Sequence, residues 1–398
     1  MFVNNVLEEV KNNATTVIMD PEGSRVMEKV LRIATHDSLF SFFSLIFGRL
    51  EELCFHKNGS HVIQTLLCLT PDIIEEELMG GISVNGTEGN KDREEDGTKP
   101  QSTQELLLDM CALMMDGWVN MAFDQYGSHL FRVMINVLTG RKPDTLSRSR
   151  SSTQYNTEKN NTFDFGKKGK KKGKGFQGSK DTEISTDPLD EALQEVRKVP
   201  AGFGLVIGRI MEALLLQLSD DDFAAMTVDP VASPLLQLLM VVHEKNESLL
   251  AQIVSRFFTS AERSNVTIDG AEAKLVATEK KEDNKAKTKG RDFVQGLITH
   301  PIGSHVMQRL LQVAPVITHT LLYNEYFRRN LVNLCNHSIA NFVVASLVKG
   351  VKSPTIFGLI VDELAGVADL LLSKTSPPPP SGLSSRVELV LRSSSFFS

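Results

Sequence analysis

The chain has 398 residues, 41% of them hydrophobic, and a formal net charge of −6 at pH 7; that is enough for a large core in several domains or one long array, and the charge has the wrong sign for indiscriminate nucleic-acid binding. Cys54, Cys68, Cys111 and Cys335 lie far apart with no CxxC pair, which writes neither a zinc finger nor a disulfide framework and points to reduced core thiols. The start Met1-Phe2-Val3-Asn4-Asn5 has no basic and apolar leader, and no run approaches the ~18 apolar residues of a membrane span, so a soluble intracellular protein is expected.

One helical phrase recurs along the chain: a small residue, a polar or aromatic one, two apolar, a polar one, one variable and two mostly apolar. The first copy is Ser24-Arg25-Val26-Met27-Glu28-Lys29-Val30-Leu31. Leu39, Phe42, Phe43, Ile46, Leu50 and Leu53 then follow at helical spacing, and Asn58-Gly59 breaks the helix ahead of the second copy, Ser60-His61-Val62-Ile63-Gln64. Pro71 fits the first turn of a third helix, Ile73 to Met79, making each unit roughly three helices.

The third copy is Ser128-His129-Leu130-Phe131-Arg132, the fourth Ser233-Pro234-Leu235-Leu236-Gln237, the fifth Ser304-His305-Val306-Met307-Gln308 and the sixth Ala340-Asn341-Phe342-Val343-Val344. Residue 24 to residue 60 spans 36 positions, as does 304 to 340, and the longer gaps coincide with polar, low-complexity insertions near 80–101, 141–188 and 260–290. A unit of ~36 residues is too short to bury its own core, so neighbours must stack. With few β-branched alternating runs, the reading is all-α: a solenoid over 1–372 whose three insertions are disordered, then a Pro/Ser-rich tail over 373–398. No polar capping repeat is legible after Leu372, so a shortened array is expected. The second insertion holds the basic run Lys167-Lys168-Gly169-Lys170-Lys171-Lys172-Gly173-Lys174, which reads as a nuclear or nucleolar address and a phosphate contact.

On a helix, positions i, i+1 and i+4 share a face, so Ser24, Arg25 and Glu28 are expected to project together while Val26, Met27, Val30 and Leu31 point inward. Across the copies the middle member is Arg25, His61, His129, Pro234, His305 and Asn341, and several of these are flat groups able to stack on a base. The third member varies as Glu28, Gln64, Arg132, Gln237, Gln308 and Val344, a change of donor and acceptor pattern that reading different bases needs. Apolar stacking alone does not require such a triad.

The runs Asp124-Gln125-Tyr126-Gly127-Ser128-His129 and His300-Pro301-Ile302-Gly303-Ser304-His305 resemble the second helix of pumilio-type (PUF) repeats. Asp20 to Leu31, Ala232-Ser233-Pro234-Leu235-Leu236-Gln237, and the stretch from Ala314-Pro315 through Tyr323-Asn324-Glu325-Tyr326-Phe327 to Val344 are similar to the nucleolar pumilio-like family called nucleolar protein nine. The resemblance covers roughly 1–372, insertions excepted. It implies a right-handed, C-shaped superhelical solenoid whose concave face binds RNA, acting in the nucleus and nucleolus on the precursor of small-subunit ribosomal RNA. It also implies a monomer, with pre-ribosomal proteins as further candidate partners. The residues carried over as RNA-binding are Ser24, Arg25, Glu28, Ser60, His61, Gln64, Ser128, His129, Arg132, Ser233, Gln237, Ser304, His305, Gln308 and Asn341. In the family's pattern Ser24 with Glu28 suits guanine, Ser60 with Gln64 and Ser304 with Gln308 suit adenine, and Ser128 with Arg132 suits cytosine. Pro234 cannot stack like an aromatic, and Ala340 with Val344 offers no polar reader, so shape or backbone recognition is expected there.

Other chemistries fare poorly. Gly202-Phe203-Gly204-Leu205-Val206-Ile207-Gly208 has the wrong spacing for a phosphate loop, with no strand before it. His61, His129 and His305 occupy equivalent places on different repeats, too far apart to share an ion. No catalytic constellation stands out, so neither enzyme activity, cofactor nor metal is expected. The rival reading is a protein-binding adaptor solenoid of HEAT or armadillo type.

Overall fold

The computed structural model describes residues 2–79, 102–141, 197–258 and 293–373, with the backbone of two short strands between 266 and 275. The basic run at Lys167–Lys174, the tail beyond 373 and nearly all of the three insertions lie outside the described residues. The chain divides into two compact units, Met1–Met110 with Arg132–Gly204, and Cys111–Phe131 with Leu205–Ser398.

In the first unit, α1 (Phe2–Val10) leads through a 3-10 turn at Lys11–Asn13 into the short α2 (Ala14–Met19) and then α3 (Pro21–Leu31). The order repeats in α4 (His36–Ile46), a 3-10 turn at Phe47–Arg49, α5 (Leu50–Phe55) and α6 (Gly59–Leu78). The apolar run that opens the second repeat is therefore two helices and a tight turn. All six of its residues named from spacing, Leu39, Phe42, Phe43, Ile46, Leu50 and Leu53, are buried. Helices α3 and α6, each carrying one copy of the phrase, pack side by side. The expected break at Pro71 is absent: α6 runs unbroken to Leu78 with Pro71 inside it. Ile73 and Ile74 beyond the proline are buried, so packing of this last stretch overrides the ring's cost to the helix.

The third repeat has the same sequence of elements: α7 (Thr103–Leu113), a 3-10 turn at Met115–Gly117, α8 (Trp118–Phe123) and α9 (Gly127–Leu138). The boundary between the units falls within α7 and within α9. Trp118 stacks on Phe131 with ring centroids 4.5 Å apart, tying α8 to the start of α9.

The second unit resumes at Leu205, within α10 (Ala201–Gln217), and continues with α11 (Asp220–Val228), α12 (Ser233–Val242) and α13 (Glu247–Phe258). The glycines weighed as a phosphate loop lie inside α10, with no strand before them among the described residues. Ser219 and Asp222 close a reciprocal capping box at the start of α11. Phe223 meets Phe257 edge on at 5.1 Å, and the Arg256 guanidinium lies over Phe223 while donating to the Leu218 and Ser219 carbonyls. Within the segment read as a structureless insertion, β1 (Val266–Asp269) and β2 (Glu272–Leu275) pair as an antiparallel hairpin with Val266 opposite Leu275. This short pair satisfies its own backbone groups without any core, and the described repeats are helical throughout.

A short helix, α14 (293–299), then precedes α15 (Gly303–Val313). The sixth repeat is α16 (Val316–Leu322) running into a π-helical turn at Tyr323–Phe327, then α17 (Leu331–Asn336) and α18 (Ala340–Gly350); α19 (Pro354–Ser373) follows. α12 packs on α15 and α15 on α18. Among the described residues no single helix is long and apolar enough to cross a membrane. Cys54 and Cys111 are buried, and burial pushes the Cys111 thiol up to about 12.

Candidate nucleic-acid interface

Every phrase helix begins with the same local device. Four residues before the first polar member of the phrase stands an aspartate or a histidine, and its side chain accepts two backbone N–H groups at the mouth of the helix. Asp20 Oδ2 accepts from Glu22 and Gly23 at 2.9 and 2.7 Å, Asp124 Oδ1 from Tyr126 and Gly127 at 2.9 and 2.7 Å, and Asp229 Oδ1 from Val231 and Ala232 at 2.7 and 2.8 Å. Histidine fills the role through Nδ1: His56 accepts from Asn58 and Gly59, His300 from Ile302 and Gly303, and His337 from Ile339 and Ala340, all at 3.0–3.3 Å. An Nδ1 that accepts places the ring proton on Nε2. These groups satisfy donors that a helix start leaves without intrahelical partners.

The residue before the first polar member allows the phrase helix to approach the short helix ahead of it. A Cβ added at Gly23 would lie 2.3 Å from the Val17 carbonyl oxygen, and one at Gly59 would lie 2.9 Å from that of Leu53. The Gly-Ser pair that marks most copies is thus a packing requirement followed by a floor residue.

The caps also fix the register, and they correct the sixth copy. His337 sits three residues before Ala340, as His56 does before Gly59. The Asn341 N–H donates to the His337 carbonyl as the Ser60 N–H does to that of His56. Ala340 therefore takes the glycine's place, Asn341 the serine's, Phe342 the stacking place and Ala345 the third place. Asn341 is the first member of its triad and not the middle one, and Val344 is core at 2% exposure. The fifth and sixth repeats then stand 37 residues apart, from 304 to 341. Phe342, absent from the residues singled out by sequence, is an exposed aromatic at the second place. Reading the capping residue and the small residue three beyond it, before matching the apolar pattern, would have found it.

The expected three-residue ridge is stepped. The first-place serines, Ser24, Ser60, Ser128, Ser233 and Ser304, are all buried. The hydroxyls of Ser24, Ser60 and Ser304 donate to carbonyls three residues back, and that of Ser128 donates across to the Val231 carbonyl at 2.8 Å. These residues form the floor of the face instead of projecting from it. Second-place Arg25, His129 and His305 are exposed, with His61 and Pro234 half-buried. The third-place residues Glu28, Gln64, Arg132, Gln237, Gln308 and Ala345 are uniformly half-buried. Asn341 is half-buried, and its Oδ1 is enclosed with no hydrogen-bond partner among the described residues. Val26, expected to face inward, is 53% exposed, whereas its equivalents Val62, Leu130, Leu235, Val306 and Val343 are covered.

Between α3 and α6 the face opens into a groove of about 660 Å³, lined by Ser24, Arg25, Glu28, Lys29, Arg32, Lys57, Asn58 and His61. Four cationic side chains face one carboxylate there, so this groove is locally positive in a chain of net charge −6. Lys29, Arg32 and Lys57 were not among the residues singled out by sequence. Asn58 Nδ2 donates to the Met19 carbonyl at 2.7 Å and pins the groove's rim. Among the described residues no cluster of three or more His, Cys, Asp or Glu side chains could hold a metal ion.

Residues 12–387 match the model of the NOP9-like PUF repeat domain. The chain is 22% identical over 389 residues to "Nucleolar protein 9" of Paracoccidioides brasiliensis (strain Pb03), covering 95% of the chain and 48% of that relative. It is 24% identical over 360 residues to the protein of the same name in Yarrowia lipolytica, covering 90% of the chain and 42% of the relative. The chain thus spans about half the length of the curated relatives it matches. Among solved structures it is similar to APUM23–GGAUUUGACGG, with a TM-score of 0.63 and 19% identity over 99% of the chain and 58% of the other. It is also similar to APUM23–GGAAUUGACGG, with a TM-score of 0.61 and 19% identity over 93% and 55%.

Proposed function

The chain belongs to the NOP9-like PUF repeat family, and we propose that it binds single-stranded stretches of RNA on the triad-bearing faces of its phrase helices α3, α6, α9, α12, α15 and α18, each repeat taking its own base. The observation that carries this reading is the stepped triad at the capped helices: a buried serine floor in five of six, a second residue suited to stacking in most repeats and a half-buried polar third residue in five of six. Unstacked bases insert between flat side chains and present their edges to the residue beside them. Arg25, His61, His129, His305 and Phe342 are the stacking groups in this account, and Pro234 is a gap in the series.

Glu28 then reads guanine, Gln64 and Gln308 adenine, and Arg132 cytosine, following the family's pattern. A serine hydroxyl that donates to a carbonyl keeps lone pairs with which to accept from a base. Gln237 and Ala345 flank positions read by shape. The names of the relatives support action in the nucleolus, on the precursor of small-subunit ribosomal RNA, as a monomer alongside pre-ribosomal proteins. No catalytic step is assigned to the chain.

The test is fluorescence anisotropy with a labelled mixed-sequence single strand across a salt series. The wild type is compared with the His61→Ala/His129→Ala/His305→Ala triple variant. The proposal expects the variant to lose at least about 100-fold in affinity, at ~1–3 kcal/mol for each of three stacked bases, with little change in salt slope. Equal binding by the two proteins, or binding of an acidic peptide in preference to RNA, overturns it.

A further inference from the structure

We infer that Thr65 is a positioning residue for the Glu28 carboxylate, so that the base preference of the first repeat is set from the second. The inference rests on the reading above that the third member of the triad meets a base edge. Thr65 lies on α6 at 4% exposure, and its hydroxyl donates to Glu28 Oε2 on α3 at 3.4 Å, across 37 residues of sequence. Glu28 lines the groove between the two helices, so the threonine reaches the reader from below, out of solvent.

The place held by Thr65 follows the third triad member, and across the repeats it reads Lys29, Thr65, Val133, Leu238, Arg309 and Ser346. The scaffold therefore tolerates aliphatic, cationic and hydroxyl side chains there, and a β-branched residue is a mediocre helix former. A hydroxyl occurs at Thr65 and Ser346, but the third member of the preceding repeat is a carboxylate only at Glu28 and is Gln308 in the other case. The pairing of a buried hydroxyl donor with a carboxylate reader thus arises once, and there the two groups meet.

The chemistry of guanine explains why this matters. Its Watson–Crick edge offers N1–H and an N2 amino group side by side, which call for two acceptors lying in one plane. Adenine offers an amino group beside the acceptor N1, so a carboxylate held in that plane sets oxygen against nitrogen lone pairs. A glutamate on a mobile stem escapes the clash by rotating. Each carboxylate oxygen has two lone-pair directions, so Oε2 accepts from Thr65 and from a base together. Holding Oε2 fixes the carboxylate plane and converts a general acceptor into a selective one.

The full chain is incubated with a randomised single-stranded RNA pool, and bound sequences are read for the wild type, Glu28→Ala, Thr65→Val, Thr65→Ala and Thr65→Ser, each with a thermal melt. The inference expects one guanine-preferring position that Glu28→Ala abolishes. Thr65→Val lowers guanine-over-adenine enrichment there by about fivefold, the scale of one ordinary hydrogen bond, and Thr65→Ser restores it. Total affinity for the pool and preferences elsewhere stay unchanged. Thr65→Ala replaces Thr65→Val as the comparison if valine lowers the melting midpoint. Preference lost in Glu28→Ala but kept in both hydroxyl-free variants overturns this inference alone. No guanine preference in the wild type, or one indifferent to Glu28→Ala, overturns the base-reading account as well.

Discussion

In the second repeat a histidine cap opens α6, a glycine lets the helix approach α5, and the face presents His61 and Gln64. In the sixth, another histidine cap opens α18, Ala340 stands where the glycine was, and the face presents Phe342 and Ala345. His56 and His337 make the same pair of backbone contacts, and the apolar residues behind them, Val62 and Ile63 in one and Val343 and Val344 in the other, are buried alike. Apart from Ala340 in the glycine's place and Asn341 in the floor serine's, what changes is the side chains facing outward. Scaffold and reader are therefore separable: the cap, the close approach and the core place a helix, and the triad is free to vary upon it.

The largest expected effect breaks the scaffold side of that comparison. Gly23→Ala drives a methyl against the Val17 carbonyl, where a Cβ would lie at 2.3 Å from backbone oxygen. It should cost about 3 kcal/mol in denaturant unfolding. The equivalent place in the fourth repeat already holds the buried Ala232, and Ala232→Gly should cost less. Equal effects at the two sites would show that close approach is not what selects glycine.

Next in size is a change on the reader side alone. Phe342→Ala should weaken RNA binding about tenfold, within the ~1–3 kcal/mol of one stacked base, and leave the melting midpoint unchanged. Asn341→Ala separates floor from stacker and should act less on affinity. A large loss of stability in Phe342→Ala would place the ring in the core and undo the register deduced from the His337 cap.

Exchanging caps tests whether they are equivalent. His56→Ala removes the acceptor for the Asn58 and Gly59 N–H groups and should cost about 1 kcal/mol, whereas His56→Asp should retain most of the wild-type stability, because three other repeats use aspartate in that role. Hydrogen exchange at the first turn of α6 reads the difference directly.

The smallest effect is a pH dependence specific to the sixth repeat. His319 is buried in α16 with Nε2 3.1 Å from the Leu347 carbonyl, and burial lowers its pKa below the ordinary histidine value. The folded state thus favours the neutral ring and binds fewer protons than the unfolded chain. The stability this confers is fully present above ~6.5 and declines as pH falls from there toward the lowered value. Melts between pH 8 and 5 should show this decline, and His319→Gln should flatten it.

Much of the architecture was legible in the chain because repetition amplifies weak signals. A single Ser-His-x-x-Gln means little, but several copies at helical spacing imply a stacked array. Burial of Leu39, Phe42, Phe43 and Ile46 followed from their period alone. The misreadings came where local pattern and tertiary packing diverge. Pro71 signals a helix start in isolation, yet Ile73 and Ile74 are worth more buried in a continued α6. The serines looked surface-bound because they are polar, but a small hydroxyl that bonds its own backbone is a good floor. The sixth copy slipped by one because Ala340-Asn341-Phe342 and Asn341-Phe342-Val343 both fit a small, polar, apolar pattern. Only the hydrogen bonds of His337 choose between them. The Thr65–Glu28 contact lies across two repeats and has no signature within either.

Ultraviolet cross-linking of the protein to uniformly labelled single-stranded RNA, with mass-spectrometric mapping of the linked residues, tests the central claim most directly. The account predicts links at second-place residues of several repeats, His61, His129, His305 and Phe342 among them, at the periodicity of the capped helices. Links confined to Lys167–Lys174, or scattered without that periodicity, would contradict it.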